Sequence, residues 1–265
     1  MKAVSLLFIS CLESIRVNSC KYSNFAFCME LLVDFGNTRV KAAVADGDVL
    51  RVVYSGPIEP DGIRMSVNGL EINGGMWCAV HTLPAAIESW MRSIGMTPLS
   101  ASTPVPLHNS YSTPQTLGMD RLAAAVGAWS MKPGHDILVI DAGTAITFDF
   151  ITSDGEYKGG NIAPGIGLRL RSLHDYTGAL PLVQTKGPAP SLGKDTVTAI
   201  RSGVLRGIRH EAEGYIRDIE TQYPSLLVFL TGGDAEFFDI KAKSSIFAVP
   251  DLVLRGLARI VEYNE

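Results

Sequence analysis

Two short segments carry the residue types that phosphate chemistry needs: Leu31-Leu32-Val33-Asp34-Phe35-Gly36-Asn37-Thr38-Arg39-Val40-Lys41 and Ile137-Leu138-Val139-Ile140-Asp141-Ala142-Gly143-Thr144-Ala145-Ile146-Thr147. In each, an apolar strand-like run ends in an aspartate, a glycine turn follows, and a threonine hydroxyl lies close by. Such a turn lets backbone N–H groups and a side-chain O–H reach phosphate oxygens. One copy alone reads equally well as a buried strand and an ordinary turn. Two copies, each opening a domain-sized stretch, point to a duplicated nucleotide-binding fold with one phosphate loop on each wall of a cleft.

Between them lies Tyr111-Ser112-Thr113-Pro114-Gln115-Thr116-Leu117-Gly118-Met119-Asp120-Arg121, running into the helical Leu122-Ala123-Ala124-Ala125-Val126-Gly127-Ala128. A carboxylate at Asp120 can accept the proton of an attacking hydroxyl. The same aspartate also reads as an N-cap of the alanine-rich helix. Arg121 presents a planar fork that suits a carboxylate.

Asp-x-Gly-Asn-Thr-x-x-Lys, then Gly-x-Asp-Arg, then Asp-Ala-Gly-Thr-Ala, then Gly159-Gly160-Asn161-Ile162-Ala163-Pro164-Gly165, in this order, resembles the bacterial type III pantothenate kinases over residues 29–265. The paired loops also resemble the wider superfamily of acetate and sugar kinases, actin and heat-shock chaperone ATPases. The resemblance implies an α/β fold: two ribonuclease H-like (actin-like ATPase) domains with mixed sheets flanked by helices and an active site in the interdomain cleft. It further implies ATP and pantothenate as substrates, with magnesium accompanying ATP.

On the same resemblance, Asp120 is the catalytic base. Asp34, Phe35, Gly36, Asn37, Thr38, Arg39, Val40, Lys41 and Thr144 form the ATP contacts, with Asp34 holding magnesium through water. Tyr111, Gly118, Met119, Asp120, Arg121 and Thr196 contact pantothenate, Thr196 from the neighbouring subunit of a homodimer. Asp141 holds a monovalent cation, K+ or NH4+. Read without the family, Lys41 is a solvated strand-end lysine, Asp141 and Thr144 are turn residues, and Thr196 merely lies near a helix start.

Competing chemistries fail on spacing. Gly187-Pro188-Ala189-Pro190-Ser191-Leu192-Gly193-Lys194-Asp195 has one residue too many between its glycines for a P-loop and lacks the hydroxyl after its lysine. Gly165-Ile166-Gly167 lacks the third glycine of a dinucleotide fingerprint. The four cysteines, Cys11, Cys20, Cys28 and Cys78, show no paired metal or redox spacing and read as reduced bystanders. His81, His108, His135, His174 and His210 form no metal motif, and His174 and His210 read as surface or helix-cap residues.

With 265 residues, 46% of them hydrophobic, the chain can bury two cores. A net charge of −4 offers no basic footprint, so neither nucleic acid nor an anionic membrane is an expected partner. The expected location is the cytoplasm. Residues 1–28 faintly resemble a short leader but are expected to be a non-native or disordered extension before Met29. An N-terminal domain is expected over 29–133, broken at Met131-Lys132-Pro133-Gly134, and a C-terminal one over 134–265.

The positioning elements follow from periodicity. Strands are expected near Val44, over Val49–Tyr54, Trp77–His81, Thr147–Thr152 and Leu226–Leu230, with a hairpin and loop at Gly159-Gly160. Helices are expected over Ala85–Ile94, Arg121–Ser130, Gly167–Thr177, Val197–Tyr223 and Asp251–Tyr263. Thr231-Gly232-Gly233-Asp234-Ala235 is where the superfamily seats adenosine. Two alternatives stand beside the pantothenate reading: another small-molecule hydroxyl kinase on this fold, and an accessory role in transcription, a role also described for members of this family.

Overall fold

The computed structural model describes residues 29–47 and 49–265; the expected extension over 1–28 lies outside them. The described chain forms two compact units, one of residues 29–133, 155–157 and 251–265, the other of residues 134–154 and 158–250. The helix near the C-terminus therefore belongs with the first unit, whereas sequence order alone assigns it to the second.

In the first unit, β1 (Met29–Phe35), β2 (Val40–Asp46), β3 (Val49–Gly56), β4 (Ile72–Ala79) and β5 (Met96–Pro98) form a sheet of order β3-β2-β1-β4-β5. The β1-β2 and β2-β3 pairs are antiparallel, β1-β4 and β4-β5 parallel. Leu31, Leu32, Val33 and Phe35 are wholly buried, as a central strand covered on both faces requires. Period-2 alternation sends Leu31, Val33 and Phe35 to one face, where they meet Ile63 of α1 (Pro60–Ser66) and Ile87 and Met91 of α2 (Ala85–Ser93). Leu32 and Asp34 take the opposite face.

Against β1, β2 and β4 packs α6 (Leu252–Asn264), which lies along α3 (Met119–Met131). The two helices approach closely because small residues line the seam. A methyl at Gly127 would sit 2.5 Å from the Leu252 carbonyl oxygen, and one at Gly256 would overlap the Ala123 carbonyl. This seam fixes α6 to the first unit. A short β6 (His108–Asn109) pairs in parallel with Glu156 and Tyr157, the first residues of β9 (Glu156–Pro164).

The second unit repeats the pattern. Its strands β7 (Ile137–Ala142), β8 (Ala145–Ile151), β10 (Leu227–Thr231) and β11 (Ser245–Ala248), with the rest of β9, run in the order β9-β8-β7-β10-β11. The β7-β8 pair is antiparallel and β7-β10 parallel, matching β1-β2 and β1-β4. Gly160 of β9 packs so tightly on Phe148 of β8 that a methyl would overlap its carbonyl oxygen; the segment read as hairpin and loop is strand through Pro164. Behind the sheet lie α4 (Ile166–Asp175) and α5 (Thr196–Glu220). Ile200, Val204, Ile208, Ala212 and Ile216 make a stripe at four-residue spacing that joins Leu138, Ile140 and Phe148 in one core. Helix α5 starts at a capping box, in which the Asp195 side chain accepts from the Thr198 N–H at 2.8 Å.

Among the described residues no helix is long and apolar enough to cross a membrane. The α3-α6 seam yields a contrast between two glycines. Gly256→Ala is expected to cost about 1–3 kcal/mol through overpacking and to lower the thermal midpoint. Gly207→Ala, where a methyl meets open space inside α5, is expected to be neutral or to stabilise by up to about 1 kcal/mol. Calorimetry of the two variants checks the pair; an unchanged midpoint in Gly256→Ala contradicts the close approach.

Candidate active site

Asp34 is the penultimate residue of β1, on the face away from Val33 and Phe35, and β4 places Cys78 beside it in register. The Cys78 thiol donates to the Asp34 carboxylate oxygen Oδ1 at 3.5 Å, so this cysteine is not a bystander. Its contact was invisible in the sequence because nothing local tells which strand becomes the neighbour of β1. On the other side, the antiparallel register sets Lys41 opposite Asp34.

The turn between β1 and β2 leaves Asn37, Thr38 and Arg39 exposed and Gly36 half-buried, a suitable presentation for phosphate donors. A methyl at Gly36 would press on the Arg39 carbonyl oxygen at 3.0 Å. Phe35 and Val40, by contrast, are fully buried, so only their backbone atoms can face a nucleotide.

Asp120 lies in the first turn of α3. The capping position is Gly118, and the helix begins at Met119, two residues earlier than expected. The N-cap reading of Asp120 is thus corrected, although its Oδ1 accepts the Arg121 backbone N–H at 2.9 Å. A side chain at Gly118 would fall 2.5 Å from that oxygen, so glycine there leaves the carboxylate its room. Arg121 is buried, its guanidinium carbon 5.7 Å from the centre of the Tyr111 ring. Tyr111 in turn packs on Tyr157, with ring centres 6.3 Å apart. Met119 is half-buried.

These residues share one electrostatic field. Burial first, and then the charge of Asp120, push the Asp34 carboxyl from 3.8 up to about 6, against the opposing pull of the Cys78 thiol and Lys41. The same burial and the two carboxylates drive the Cys78 thiol well above its usual range. Cys78 is therefore a neutral hydrogen-bond donor here.

In the second unit Asp141 holds the corresponding place at the end of β7. The following turn is pinned on two sides: the Gly165 N–H donates to the Thr144 carbonyl at 2.9 Å, and the Asp234 N–H to the Ala142 carbonyl at 2.9 Å. Gly232 adopts a φ of +94°, and a methyl on it would sit 2.5 Å from the Asp141 carboxylate oxygen Oδ1. Burial, reinforced by Glu236, raises the Asp234 carboxyl. Thr196 is the first residue of α5 and is exposed. His174 contacts the Leu180 carbonyl at 2.9 Å through Nδ1, near the end of α4, and His210 lies mostly exposed 3.5 Å from Glu213 on α5.

A family model described as type III pantothenate kinase matches residues 30–218. A type III pantothenate kinase of Phocaeicola vulgatus is 48% identical over 240 residues, covering 89% of this chain and 99% of that protein. One of Bacteroides fragilis is 47% identical over 239 residues, covering 89% and 98%. Among solved structures, a Campylobacter jejuni protein described as a conserved Baf family transcriptional activator superposes with a TM-score of 0.58 at 22% identity, covering 88% of this chain and 98% of that one. A ROK family glucokinase of Streptomyces griseus in complex with glucose and AMPPNP gives 0.51 at 12% identity, covering 89% and 98%. At such identities the structural likeness speaks for the fold alone, an actin-like ATPase fold shared with sugar kinases.

The folded protein holds the Asp34 proton up to about pH 6, whereas an ordinary aspartate releases it near 3.8. Between those values the folded state binds more protons than the unfolded one, so stability falls as pH rises through the window. Above it the ionised carboxylate leaves a deficit on the order of 2–3 kcal/mol. Asp34→Asn is therefore expected to raise the thermal midpoint at pH 7.5 by about 4–8 °C, and the gain is expected to shrink to nearly nothing at pH 4. A gain that is equal at both pH values, or a loss at pH 7.5, contradicts the repulsive field.

Proposed function

Because the chain belongs to the type III pantothenate kinase family, it phosphorylates pantothenate with ATP in the first step of coenzyme A synthesis, and we propose that Asp120 and Asp34 divide that reaction between them. The observation that carries the proposal is the electrostatic coupling of these two carboxylates beside the Arg121-Tyr111 contact.

The substrate's primary hydroxyl donates its hydrogen bond to Asp120. As the hydroxyl oxygen bonds to the γ-phosphorus, the bond from that phosphorus to the β,γ-bridging oxygen breaks. The hydroxyl proton passes late to the Asp120 carboxylate, since an alcohol is too weak an acid to ionise beforehand. ADP and 4′-phosphopantothenate are the products. Arg121 holds the substrate carboxylate, and its stacking on Tyr111 keeps the guanidinium in place. The Gly36-Asn37-Thr38 turn donates to the β- and γ-phosphates, and Thr144 supplies a hydroxyl from the second loop.

Asp34 fits magnesium, because a buried carboxylate repelled by a second one gains from a cation. When bound, magnesium supplies charge neutralisation at the phosphates. Asp141 would hold a potassium or ammonium ion. The cytoplasm is the location that suits this pathway step.

A homodimer sharing Thr196 across its subunits is part of this reading, with the exposed Leu192 and Val197 close to Thr196 in the chain. Tyr176 is 88% exposed and Leu192 80%, so both side chains are available for a partner to cover. The regulatory alternative is not favoured by the family match.

The defining assay is ADP release with magnesium-ATP, with and without pantothenate, in potassium and then sodium buffer. Pantothenate-dependent, potassium-favoured turnover is expected, with Asp120→Asn losing roughly 10²–10⁴-fold in kcat while still binding ATP. Full turnover in Asp120→Asn, or turnover indifferent to pantothenate, overturns the assignment. For the dimer, the double variant Tyr176→Asp, Leu192→Asp is expected to sediment as a monomer with a raised KM for pantothenate and unchanged ATP affinity. A persistent dimer shows that this surface is not the interface.

A further inference from the structure

The two units repeat one sheet plan, so their equivalent positions can be compared residue by residue. In the first, the aspartate that ends the central strand, Asp34, is opposed by Lys41 across the antiparallel pair and by Cys78 across the parallel pair. In the second, Asp141 is opposed by Thr147 on β8 and by Thr231 on β10. Residues directly opposite each other in a sheet carry their side chains on the same face, with Cβ atoms roughly 5 Å apart. Where the first unit supplies its own positive charge, the second presents a carboxylate between two hydroxyls.

One of those hydroxyls is orphaned. Thr147 Oγ1 is buried and has no hydrogen-bond partner. A buried hydroxyl left unpaired is unfavourable, and such a group calls for an explanation in an ion, a water or a function. Its neighbour in register is a carboxylate, yet the two oxygens are not hydrogen-bonded to each other. The place is also kept clear: Gly232, in a left-handed conformation, leaves room at the Asp141 carboxylate that a side chain would fill. Carboxylate and hydroxyl oxygens are hard donors of the kind that hold alkali cations or accept from ammonium.

We propose that the Thr147 hydroxyl is a ligand of the monovalent cation at Asp141 and that it sets how tightly that ion is held. The proposal rests on the assignment of the cation to Asp141. The ion then stands in the second unit where the Lys41 ammonium stands in the first.

The test reads ion binding directly, without turnover. Thermal midpoints of the full chain are measured in increasing KCl and NH4Cl at constant ionic strength balanced with choline chloride, for the wild type, Thr147→Val, Thr147→Ser and Asp141→Asn. The wild type is expected to be stabilised saturably by potassium. Thr147→Val, which keeps the shape but removes the orphaned oxygen, is expected to fold at least as stably in choline and to need ten-fold or more potassium for half its effect. Thr147→Ser is expected to stay within about three-fold of the wild type, as a retained hydroxyl requires. Should Thr147→Val fail to fold, Thr147→Ala is read in its place. A Thr147→Val or Thr147→Ala midpoint concentration equal to that of the wild type, alongside an Asp141→Asn variant that no longer responds, overturns the role of Thr147 alone. A potassium response that survives in Asp141→Asn, or is absent from the wild type, overturns the cation assignment itself.

Discussion

Burial, and then the charge of Asp120, push the Asp34 carboxyl toward protonation, up to about 6, and the site carries that load at Asp34. Left to themselves, side chains would relieve it by turning outward. Asp34 cannot, because β1 is the central strand of its sheet and its neighbouring residues Val33 and Phe35 are wholly buried on the other face. The strain is moderated by a neutral thiol and a lysine on the two adjacent strands. It is not removed. A site whose carboxylates repel one another is one that gains when a cation enters, and enzymes commonly hold such destabilised arrangements where activity needs them.

What keeps Asp120 in that field is the rigidity of the helix that carries it. Helix α3 is almost entirely buried from Arg121 to Ala128, and glycine and alanine along its seam let α6 come into backbone contact. Close packing of this kind transmits position without slack. The helix α6, far from Asp120 in sequence, thus helps set where Asp120 sits. Asp120 also lies in the first turn of α3, at the positive end of the helix dipole.

Local sequence carried much of this arrangement. The apolar runs ending in Asp34 and Asp141 announced the two central strands, and the alanine-rich stretch announced α3, because periodicity and turn chemistry act within a few residues. Gly-x-Asp-Arg marked the start of α3, yet Asp120 fell in the first turn and not at the cap, a difference decided by where Gly118 permits the chain to enter. The Cys78 contact, the orphaned Thr147 hydroxyl and the membership of α6 were hidden for one reason: each depends on which strand or helix becomes a neighbour, and strand order is a property of the whole sheet. The short α1 was readable in hindsight from Pro60 and Asp61 in its first turn, whereas β5, three residues long, had too little pattern to announce itself.

The repeated sheet plan explains how one architecture supports unlike chemistry in its halves. Both central strands have as their penultimate residue an aspartate flanked by an antiparallel and a parallel neighbour, so the backbone offers the same three-residue platform twice. Changing the flanking residues changes the charge of the platform without disturbing the fold: Lys41 and Cys78 around Asp34, Thr147 and Thr231 around Asp141. A lysine on the platform carries its own positive charge, whereas two hydroxyls bring none. Divergence between the two copies needs only substitutions at those paired positions, and the sheet plan is left intact.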